Sequence, residues 1–342
     1  MRIAQIFTGA LLAQISAATS LHADLKGWPP EVREIQFLSE SDQSEQPALF
    51  YAPETNTPRP LVIFLHQWAG DYLARGGINI ARWCVKKDWI FAQPHFRGPN
   101  TRPEAMGSDL VISDIQGTVD YAKAHADVDP TKIYLVGASG GGHLALLAAG
   151  RMPGIFQAVS AWVPITDLLA WHQQCKGTRH KKYAANIETA SGGNLASGSD
   201  SEKEAIRRSP LTWLSQASGT EFDLNAGIHD GHSGAVPISH TFQAYNVLAQ
   251  PEDRISDADI AIMTEEETVP DALRFAGDDP AYEDKPVLFR TESPGVRITI
   301  FEGGHQIIPT AALAWLEKIA LSSERTSASL DHQRDKLDIS SE

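Results

Sequence analysis

Ser139 is the residue of this chain whose surroundings point most directly to chemistry. It lies in the pentapeptide GASGG at 137–141, between an apolar run (133–136) typical of a buried strand and an Ala/Leu-rich run (144–149) typical of a helix. A serine in G-x-S-x-G at such a turn projects its hydroxyl from the carboxyl end of a sheet. The flanking glycines permit a strained backbone and leave room for a substrate. The sequence therefore predicts a nucleophile; the alternative is an ordinary glycine-rich turn.

A serine nucleophile needs a base, and the base needs an orienting acid. His305 follows a predicted strand at 296–301 and lies in a glycine-rich loop, as a base at the edge of a sheet would. Asp230 directly follows a predicted strand at 221–228 and is the expected acid, which would accept a hydrogen bond from the imidazole Nδ1–H. Asp167, after the preceding strand, is the alternative acid, although it could instead cap the next segment.

The same region also resembles a metal site. His229, Asp230 and His232 are close in sequence, and His240 could add a further zinc ligand. Adjacent side chains on a turn diverge, however, so we expect neither a metal nor another cofactor. His143, one turn into the helix after Ser139, is expected to be a packing residue.

Amide groups for a developing oxyanion can be assigned from the same motifs. The N–H of Gly140 follows the nucleophile at the start of a helix. The second donor is expected in the loop after the predicted strand at 61–65, with Trp68 preferred and Gln67 the alternative. The Trp68 indole would then form a wall of the acyl pocket.

Two further side chains are expected to bind substrate. Arg97 ends the next predicted strand region and could bind a substrate carboxylate, although bracing of its own loop is the commoner role. Trp162 ends another strand, and tryptophan is a natural stacking surface for sugar rings or aromatic acyl groups.

Apolar and polar patterning places these residues in an α/β fold. The predicted strands lie at 32–39, 47–52, 61–65, 89–93, 132–138, 156–163, 221–228 and 296–301, and the predicted helices at 78–86, 109–125, 140–149, 239–248 and 310–320. Strands alternating with helices predict a mostly parallel, doubly wound sheet with helices on both faces. Two stretches interrupt the alternation: 166–216, expected to be a cap-like insertion that is irregular after its first helical turn, and 249–294, expected to be an acidic surface excursion.

The two ends of the chain differ from its middle in composition. Arg2 followed by an apolar, alanine-rich run at 3–18 predicts a signal peptide over 1–23, cleaved near 18–23, and therefore export to a periplasm or outside the cell. One catalytic domain is expected over 24–321, and a Ser- and charge-rich disordered tail over 322–342.

Charge and cysteine content limit the partners. The formal net charge of −14 argues against nucleic acid or an anionic membrane surface. The partner expected is a small-molecule or polysaccharide ester substrate, with no membrane contact after signal removal; the sequence does not indicate an oligomeric state. Spacing does not decide whether the two cysteines, Cys84 and Cys175, form a disulfide.

Residues 30–320 resemble the α/β-hydrolase superfamily, in particular its prolyl-oligopeptidase-like and dienelactone-hydrolase-like branch of serine hydrolases. The matching pieces are His66-x-x-x-Gly70, Arg97-Gly98, the pentapeptide around Ser139, Ser209-Pro210-Leu211, Asp230 with Val236-Pro237, and Gly304-His305. Two departures stand out: His66-Gln67 replaces the family's His-Gly, and five residues separate Asp230 from Val236 where the family usually has two.

The resemblance implies a Ser-His-Asp acyl-enzyme mechanism without a cofactor. Peptidases of that family normally carry a large β-propeller, and no propeller sequence is recognisable here, so we expect an exported serine esterase, with carbohydrate esters as candidate substrates. A peptidase or amidase of the prolyl-oligopeptidase-like type and a non-catalytic glycan-binding relative are the alternatives.

Overall fold

The computed structural model of the chain describes residues 25–322, which form a single nine-stranded sheet in the order β1-β2-β4-β3-β5-β6-β7-β9-β8. The strands are β1 (Arg33–Leu38), β2 (Glu45–Tyr51), β3 (Arg59–Leu65), β4 (Ile90–Pro94), β5 (Val128–Ala138), β6 (Ala158–Trp162), β7 (Glu221–Gly227), β8 (Val287–Ser293) and β9 (Val296–Phe301). The middle of the sheet is parallel and consists of β4, β3, β5, β6, β7 and β9 in that order. At the two edges the pairing is antiparallel and involves β1, β2 and β8.

Helices connect most of the parallel strands. They are α1 (Ile78–Lys87), α2 (Asp109–His125), α3 (Gly140–Arg151), α4 (Leu168–Cys175), α5 (Lys181–Ala190), α6 (Asp200–Arg207), α7 (Ser239–Leu248), α8 (Asp257–Glu265) and α9 (309–322). The central strands are mostly apolar and buried along nearly their whole length, as expected for strands covered on both faces. The predicted α/β-hydrolase fold, with its mostly parallel sheet, is confirmed.

This topology brings the functional loops to one edge of the sheet. The loops that follow β3, β4, β5, β6, β7 and β9 leave the carboxyl ends of neighbouring parallel strands. Ligand sites in open α/β sheets form outside these carboxyl ends. Ser139, Asp230 and His305 follow β5, β7 and β9 and therefore meet there.

The region 166–216 is not irregular, and the prediction was wrong on this point. It contains α4, α5 and α6, and their inner faces form a small apolar cluster with Trp68 that includes Trp171, Ile187 and Ala205. The three helices are short, and α6 buries only Ala205 completely. Their apolar stripes are therefore too narrow to stand out in a polar sequence.

The region 249–294 was also predicted incorrectly as a surface excursion. It contains α8 and the edge strand β8, which pairs antiparallel with β9. The β8 sequence includes Arg290, Thr291 and Glu292, because one side of an edge strand faces solvent and charged residues protect it from further pairing.

Both cysteines are free and buried, so no disulfide joins Cys84 to Cys175. Burial raises the pKa of the Cys175 thiol to about 11, which disfavours its reactive thiolate. The predicted signal peptide (1–23) and nearly all of the predicted tail (322–342) lie outside the described residues. Within 25–322, no helix is both apolar and long enough to span a bilayer.

Candidate active site

Ser139 occupies a strained turn between β5 and α3. Its φ of 57° and ψ of −120° lie in a region that residues with a side chain rarely adopt. The Ser139 N–H donates to the Trp162 carbonyl at 2.9 Å, which fixes the turn against β6. A Cβ on Gly141 would lie 1.9 Å from the Leu65 carbonyl oxygen, so only glycine allows α3 to start this close to β3. The side chain is thereby held at the carboxyl edge of the sheet.

Asp230 and His305 form a direct hydrogen-bonded pair. The His305 Nδ1–H donates to Asp230 Oδ2 at 2.7 Å, and the Asp230 side chain is almost fully buried. The other carboxylate oxygen, Oδ1, accepts the N–H groups of Gly231 at 2.9 Å and Val236 at 3.3 Å. With both oxygens occupied, the carboxylate holds the imidazole in the tautomer that leaves Nε2 as an acceptor.

Asp167 does not take part in this arrangement. Its Oδ1 accepts the N–H groups of Leu169 at 2.8 Å and Ala170 at 3.0 Å, which makes it the N-cap of α4. Capping accounts for its position after β6.

Glycine contacts determine how closely the loops carrying the acid and the base approach each other. A Cβ on Gly234 would lie 2.0 Å from Asp230 Oδ1 and 2.6 Å from His305 Cβ. A Cβ on Gly227, the last residue of β7, would lie 2.4 Å from the Gly303 backbone. The longer loop after β7 therefore folds back over its own aspartate and closes on the base.

Ser139 and His305 line one pocket of ≈ 320 Å³. Its other lining residues are Phe64, Gln67, Trp68, Ala69, Gly76, Ala138, Val163, Tyr183, Gln306 and Ile307. No hydrogen bond joins Ser139 Oγ to His305 in the described part of the chain. Such bonds are often long without substrate and tighten when it binds.

The predicted oxyanion donors lie next to each other. A Cβ on Gly140 would lie 2.5 Å from the Trp68 backbone nitrogen, so the start of α3 and the loop after β3 are in direct contact. Neither the Trp68 nor the Gly140 N–H donates to an acceptor within residues 25–322. Gln67, the alternative donor, also borders the pocket, and the structure leaves both pairings available.

A buried histidine supports this loop from behind. His66 stacks on Phe96 with ring centroids 3.8 Å apart, and its two nitrogens contact the carbonyls of Gln67 (3.0 Å) and His95 (3.1 Å). Burial lowers the pKa of His66 to about 4, so the ring is neutral at pH 7.

An aromatic cluster from the cap closes one side of the pocket. Trp68 packs edge-on against Trp171 at 4.8 Å, and Trp171 stacks on Tyr183 at 5.0 Å. The Trp171 Nε1–H donates to the Ala235 carbonyl at 2.8 Å, which ties α4 to the loop after Asp230. Trp68 thus forms a pocket wall, as expected from the sequence.

Arg97 pairs with carboxylates of the protein and does not line the pocket that contains Ser139. It is buried, donates from Nε to Asp114 Oδ2 at 2.6 Å and from Nη1 to Asp42 Oδ2 at 2.7 Å, and also reaches Ser39 Oγ at 2.9 Å. These bonds hold the guanidinium against α2 and the turn after β1, away from the residues that line the pocket. Of the two roles open from the sequence, bracing is therefore the one observed, and Arg97 is corrected from the substrate-binding group.

Trp162 is also corrected. Its side chain is completely buried, contacts Tyr282 and Phe301, and donates from Nε1 to Ser160 Oγ at 2.8 Å. Residues alternate between the two faces of a strand, and this indole points into the core beneath the sheet. Only its backbone carbonyl contributes to the site, as the acceptor for Ser139.

His229, in the acid loop, contacts one carboxylate of the base loop, Glu302, and one that follows α8, Glu267. Its Nδ1 lies 2.6 Å from Glu267 Oε2 and its Nε2 lies 2.6 Å from Glu302 Oε1. The hydrogen bonds to Glu267 and Glu302 raise the pKa of His229 above its ordinary value. His240 is instead buried elsewhere, between Thr166 and Gln174. No group of three or more potential metal ligands is found within residues 25–322.

Sequence reasoning missed most of the pocket lining. Tyr183 belongs to a helix that was not predicted, and Phe64, Gln306 and Ile307 carry no motif. Val163 gives no sequence signal either, although its φ of 44° is unusual for a β-branched residue and arises where the chain turns off β6 beside the nucleophile.

Comparison with known proteins places the chain in a family. The model of the prolyl oligopeptidase family matches residues 79–267, a range that includes Ser139 and Asp230. The chain belongs to the prolyl oligopeptidase family. That family is one of serine hydrolases within the α/β-hydrolase superfamily.

Several solved peptidase structures share the fold. The chain is similar to an acylaminoacyl peptidase from Pyrococcus horikoshii, with 14% identity over 82% of this chain and 39% of that one, at a TM-score of 0.55. It is also similar to prolyl oligopeptidase B from Galerina marginata, with 19% identity over 64% and 31% of the two chains, at a TM-score of 0.52. A puromycin-hydrolyzing peptidase of Mycobacterium tuberculosis gives 15% identity over 84% and 38%, at a TM-score of 0.54. The chain thus spans about two fifths or less of these proteins. No curated protein matches it significantly.

Replacing Gly234 by alanine should impair catalysis rather than folding. The added Cβ would meet Asp230 Oδ1 at 2.0 Å, so the loop must move and displace the aspartate from His305. A shift of about 1 Å can cost about 100-fold in rate, and we expect a loss of that order in kcat. The control is Gly154→Ala, an exposed position where no atom lies within 4 Å of the added Cβ, so that any effect there reflects only the positive φ (82°) of Gly154 and not a clash. Equal kcat values for the two variants would contradict the assigned contact.

Replacing Arg97 by glutamine should destabilise the fold. The change leaves the completely buried Asp114 carboxylate without its cation, which typically costs about 3–5 kcal/mol. The free energy of unfolding in urea measures this, and Lys123→Gln, on the exposed surface of α2, should change it by less than about 0.5 kcal/mol. A loss of substrate affinity at unchanged stability would instead restore Arg97 as a binding residue.

Replacing His229 by glutamine should lower stability in a pH-dependent way. The raised pKa means that the folded state favours the protonated ring, so its contribution is fully present below the ordinary pKa of histidine and is lost as the pH rises through the raised value. Relative to the wild-type protein, the variant should lose more of its free energy of unfolding in urea at pH 5.5 than at pH 9. An equal loss of free energy of unfolding at both pH values would mean that the two carboxylates do not stabilise a charged ring.

Proposed function

We propose that the chain hydrolyses small acylated substrates through an acyl-enzyme, with Ser139 as nucleophile, His305 as general base and acid, and Asp230 as the group that orients His305. The 2.7 Å bond between His305 and Asp230, beside a pocket that also contains Ser139, is the observation that carries this proposal. A neutral imidazole anchored through Nδ1 has one free nitrogen with which to accept the serine proton.

The steps follow from this geometry. Ser139 Oγ attacks the substrate carbonyl as its proton passes to His305 Nε2, and the N–H groups of Gly140 and Trp68 (or Gln67) stabilise the oxyanion. The imidazolium then protonates the leaving group, and Asp230 stabilises its charge. Water attacks the acyl-enzyme with His305 again as base, which releases the acid and restores the serine.

Amide bonds are the favoured substrates. The family is that of an oligopeptidase, and the solved structures named above are peptidases. The expectation of an ester substrate, and of a polysaccharide ester in particular, rests on sequence reasoning alone and has no comparable support. No Asp, Glu, Lys or Arg side chain of the described residues lines the pocket, which suits an uncharged aromatic or aliphatic group next to the scissile bond.

Export remains part of the proposal. It rests on the basic and apolar sequence of residues 1–23, and the N-terminal mass of the protein isolated from its native host tests it. A mature protein that retains residues 1–18 would contradict export by this signal.

Labelling with a fluorophosphonate tests the nucleophile. We expect one phosphonyl adduct on the peptide that contains Ser139, and none on the Ser139→Ala variant, whose hydrolytic activity should fall on the order of 10³-fold or more. Ser160 is a suitable internal control, because it is fully buried and should remain unlabelled. An unlabelled Ser139 in folded protein would favour the non-catalytic glycan-binding alternative.

A matched pair of substrates distinguishes amide from ester hydrolysis. We expect an N-acetylated dipeptide amide to be cleaved with a kcat/KM of at least about 10⁴ M⁻¹s⁻¹, the lower end of the usual enzymatic range. Turnover of the corresponding methyl ester alone, with no cleavage of the peptide bond, would contradict the peptidase assignment and support an esterase.

A further inference from the structure

A group of cations lies in the segment after α4 and in the first turn of α5, next to the pocket residue Tyr183. It consists of Lys176, Arg179, Lys181 and Lys182, all exposed, and we refer to it as the cationic rim. Four positive charges within seven residues contrast with the net charge of −14 for the whole chain. A charge run of this kind is usually a solvated surface, so its contacts decide whether it has another role.

The rim is not neutralised by the protein. Within residues 25–322, none of its four side chains forms an ion pair with a carboxylate. Arg179 donates instead to the backbone carbonyls of His232 at 2.6 Å and Ser233 at 3.1 Å, both in the loop that carries Asp230. The Arg179 Nε–H also donates to His180 Nε2 at 2.9 Å. Because none of these acceptors is a carboxylate, the guanidinium keeps its full charge, and the two bonds to carbonyls fix that charge beside the acid loop.

The rim is continuous with the pocket through Tyr183. The Lys182 Nζ lies 5.1 Å from the centroid of the Tyr183 ring, and that ring lines the pocket with Ser139 and His305. The His180 ring lies nearly parallel to Tyr183 on the same helix end, with centroids 6.2 Å apart. Burial and Arg179 lower the pKa of His180, so the positive charge at pH 7 comes from the arginine and the lysines.

These charges do not stabilise the helix that carries them. Lys181 and Lys182 stand in the first turn of α5, where cations oppose the helix dipole, and no acidic residue lies in that turn. Their position is therefore unfavourable for the fold alone. An anion at the pocket edge would offset this cost.

We infer that the cationic rim binds a carboxylate of the substrate close to the scissile bond, supplied either by a free C-terminus or by an acidic side chain. This inference rests on the proposed peptidase function and narrows it to anionic acylated peptides. The substrate group next to the scissile bond fills the neutral pocket, and its carboxylate lies over Tyr183 towards Lys182. The uncharged pocket and the charged edge thus select for different parts of one molecule.

Four peptides separate the two sources of the carboxylate. N-acetyl-Phe-Ala and its C-terminal amide differ only in a free C-terminus, whereas N-acetyl-Phe-Glu-amide and N-acetyl-Phe-Gln-amide differ only in an acidic side chain. We expect kcat/KM to be higher for the charged member in at least one pair, by about fivefold to tenfold, the effect of one or two exposed ion pairs. The pair that shows the preference identifies the source.

The double variant Lys181→Gln, Lys182→Gln tests the rim itself. It should bring the ratio of charged to neutral kcat/KM close to one, and 1 M salt should do the same to the wild-type protein, because the Debye length falls to about 3 Å. Lys123→Gln removes an exposed cation on α2 and should leave the ratio unchanged. A wild-type ratio of one or less, or a preference that survives the double substitution, would overturn the inference. Cleavage of the neutral peptides in either case would still support the proposed function.

Discussion

The hydrogen bond between Asp230 and His305 is the contact on which the arrangement of the site depends. It joins two loops that leave neighbouring parallel strands, β7 and β9, at the same edge of the sheet. Neither side chain could hold this position alone, because the aspartate is buried and the histidine lies on a glycine-rich loop. The N–H groups of Gly231 and Val236 stabilise the carboxylate, and the Gly227 and Gly234 backbones let the loops approach closely enough for the bond.

The cap region contributes to catalysis and to recognition through the same helices. Trp171 of α4 binds the carbonyl of Ala235 and so supports the acid loop, while Tyr183 of α5 forms part of the pocket wall. Arg179, between these helices, binds two more carbonyls of the acid loop. A movement of the cap would therefore change both the pocket and the loop that carries Asp230.

Much of the fold was predictable from the sequence, because the central strands are long apolar runs separated by helices of regular period. Helix α2 and strand β9 were predicted with their observed bounds. Helices α4 to α6 and strand β8 were missed, since their buried faces are narrow and their exposed faces are charged.

The main residues of the site were also predictable. The motif around Ser139 and the loop positions of Asp230 and His305 led to residues that the structure brings to one edge of the sheet. Arg97 and Trp162 were misassigned because a sequence gives neither the ion pairs of a buried arginine nor the face on which an indole lies. The lining residues Val163 and Tyr183 depend on backbone turns and helix packing that leave no local signal.

The rate at which a fluorophosphonate modifies Ser139 in a His305→Ala variant tests the central claim most directly. Phosphonylation requires an activated serine hydroxyl and does not depend on knowledge of the natural substrate. If His305, oriented by Asp230, is the base, the second-order rate constant should fall on the order of 10³-fold or more relative to the wild-type protein, with the fold unchanged by circular dichroism. Modification of Ser139 at the wild-type rate would show that the serine is not activated by His305 and would contradict this account of the site.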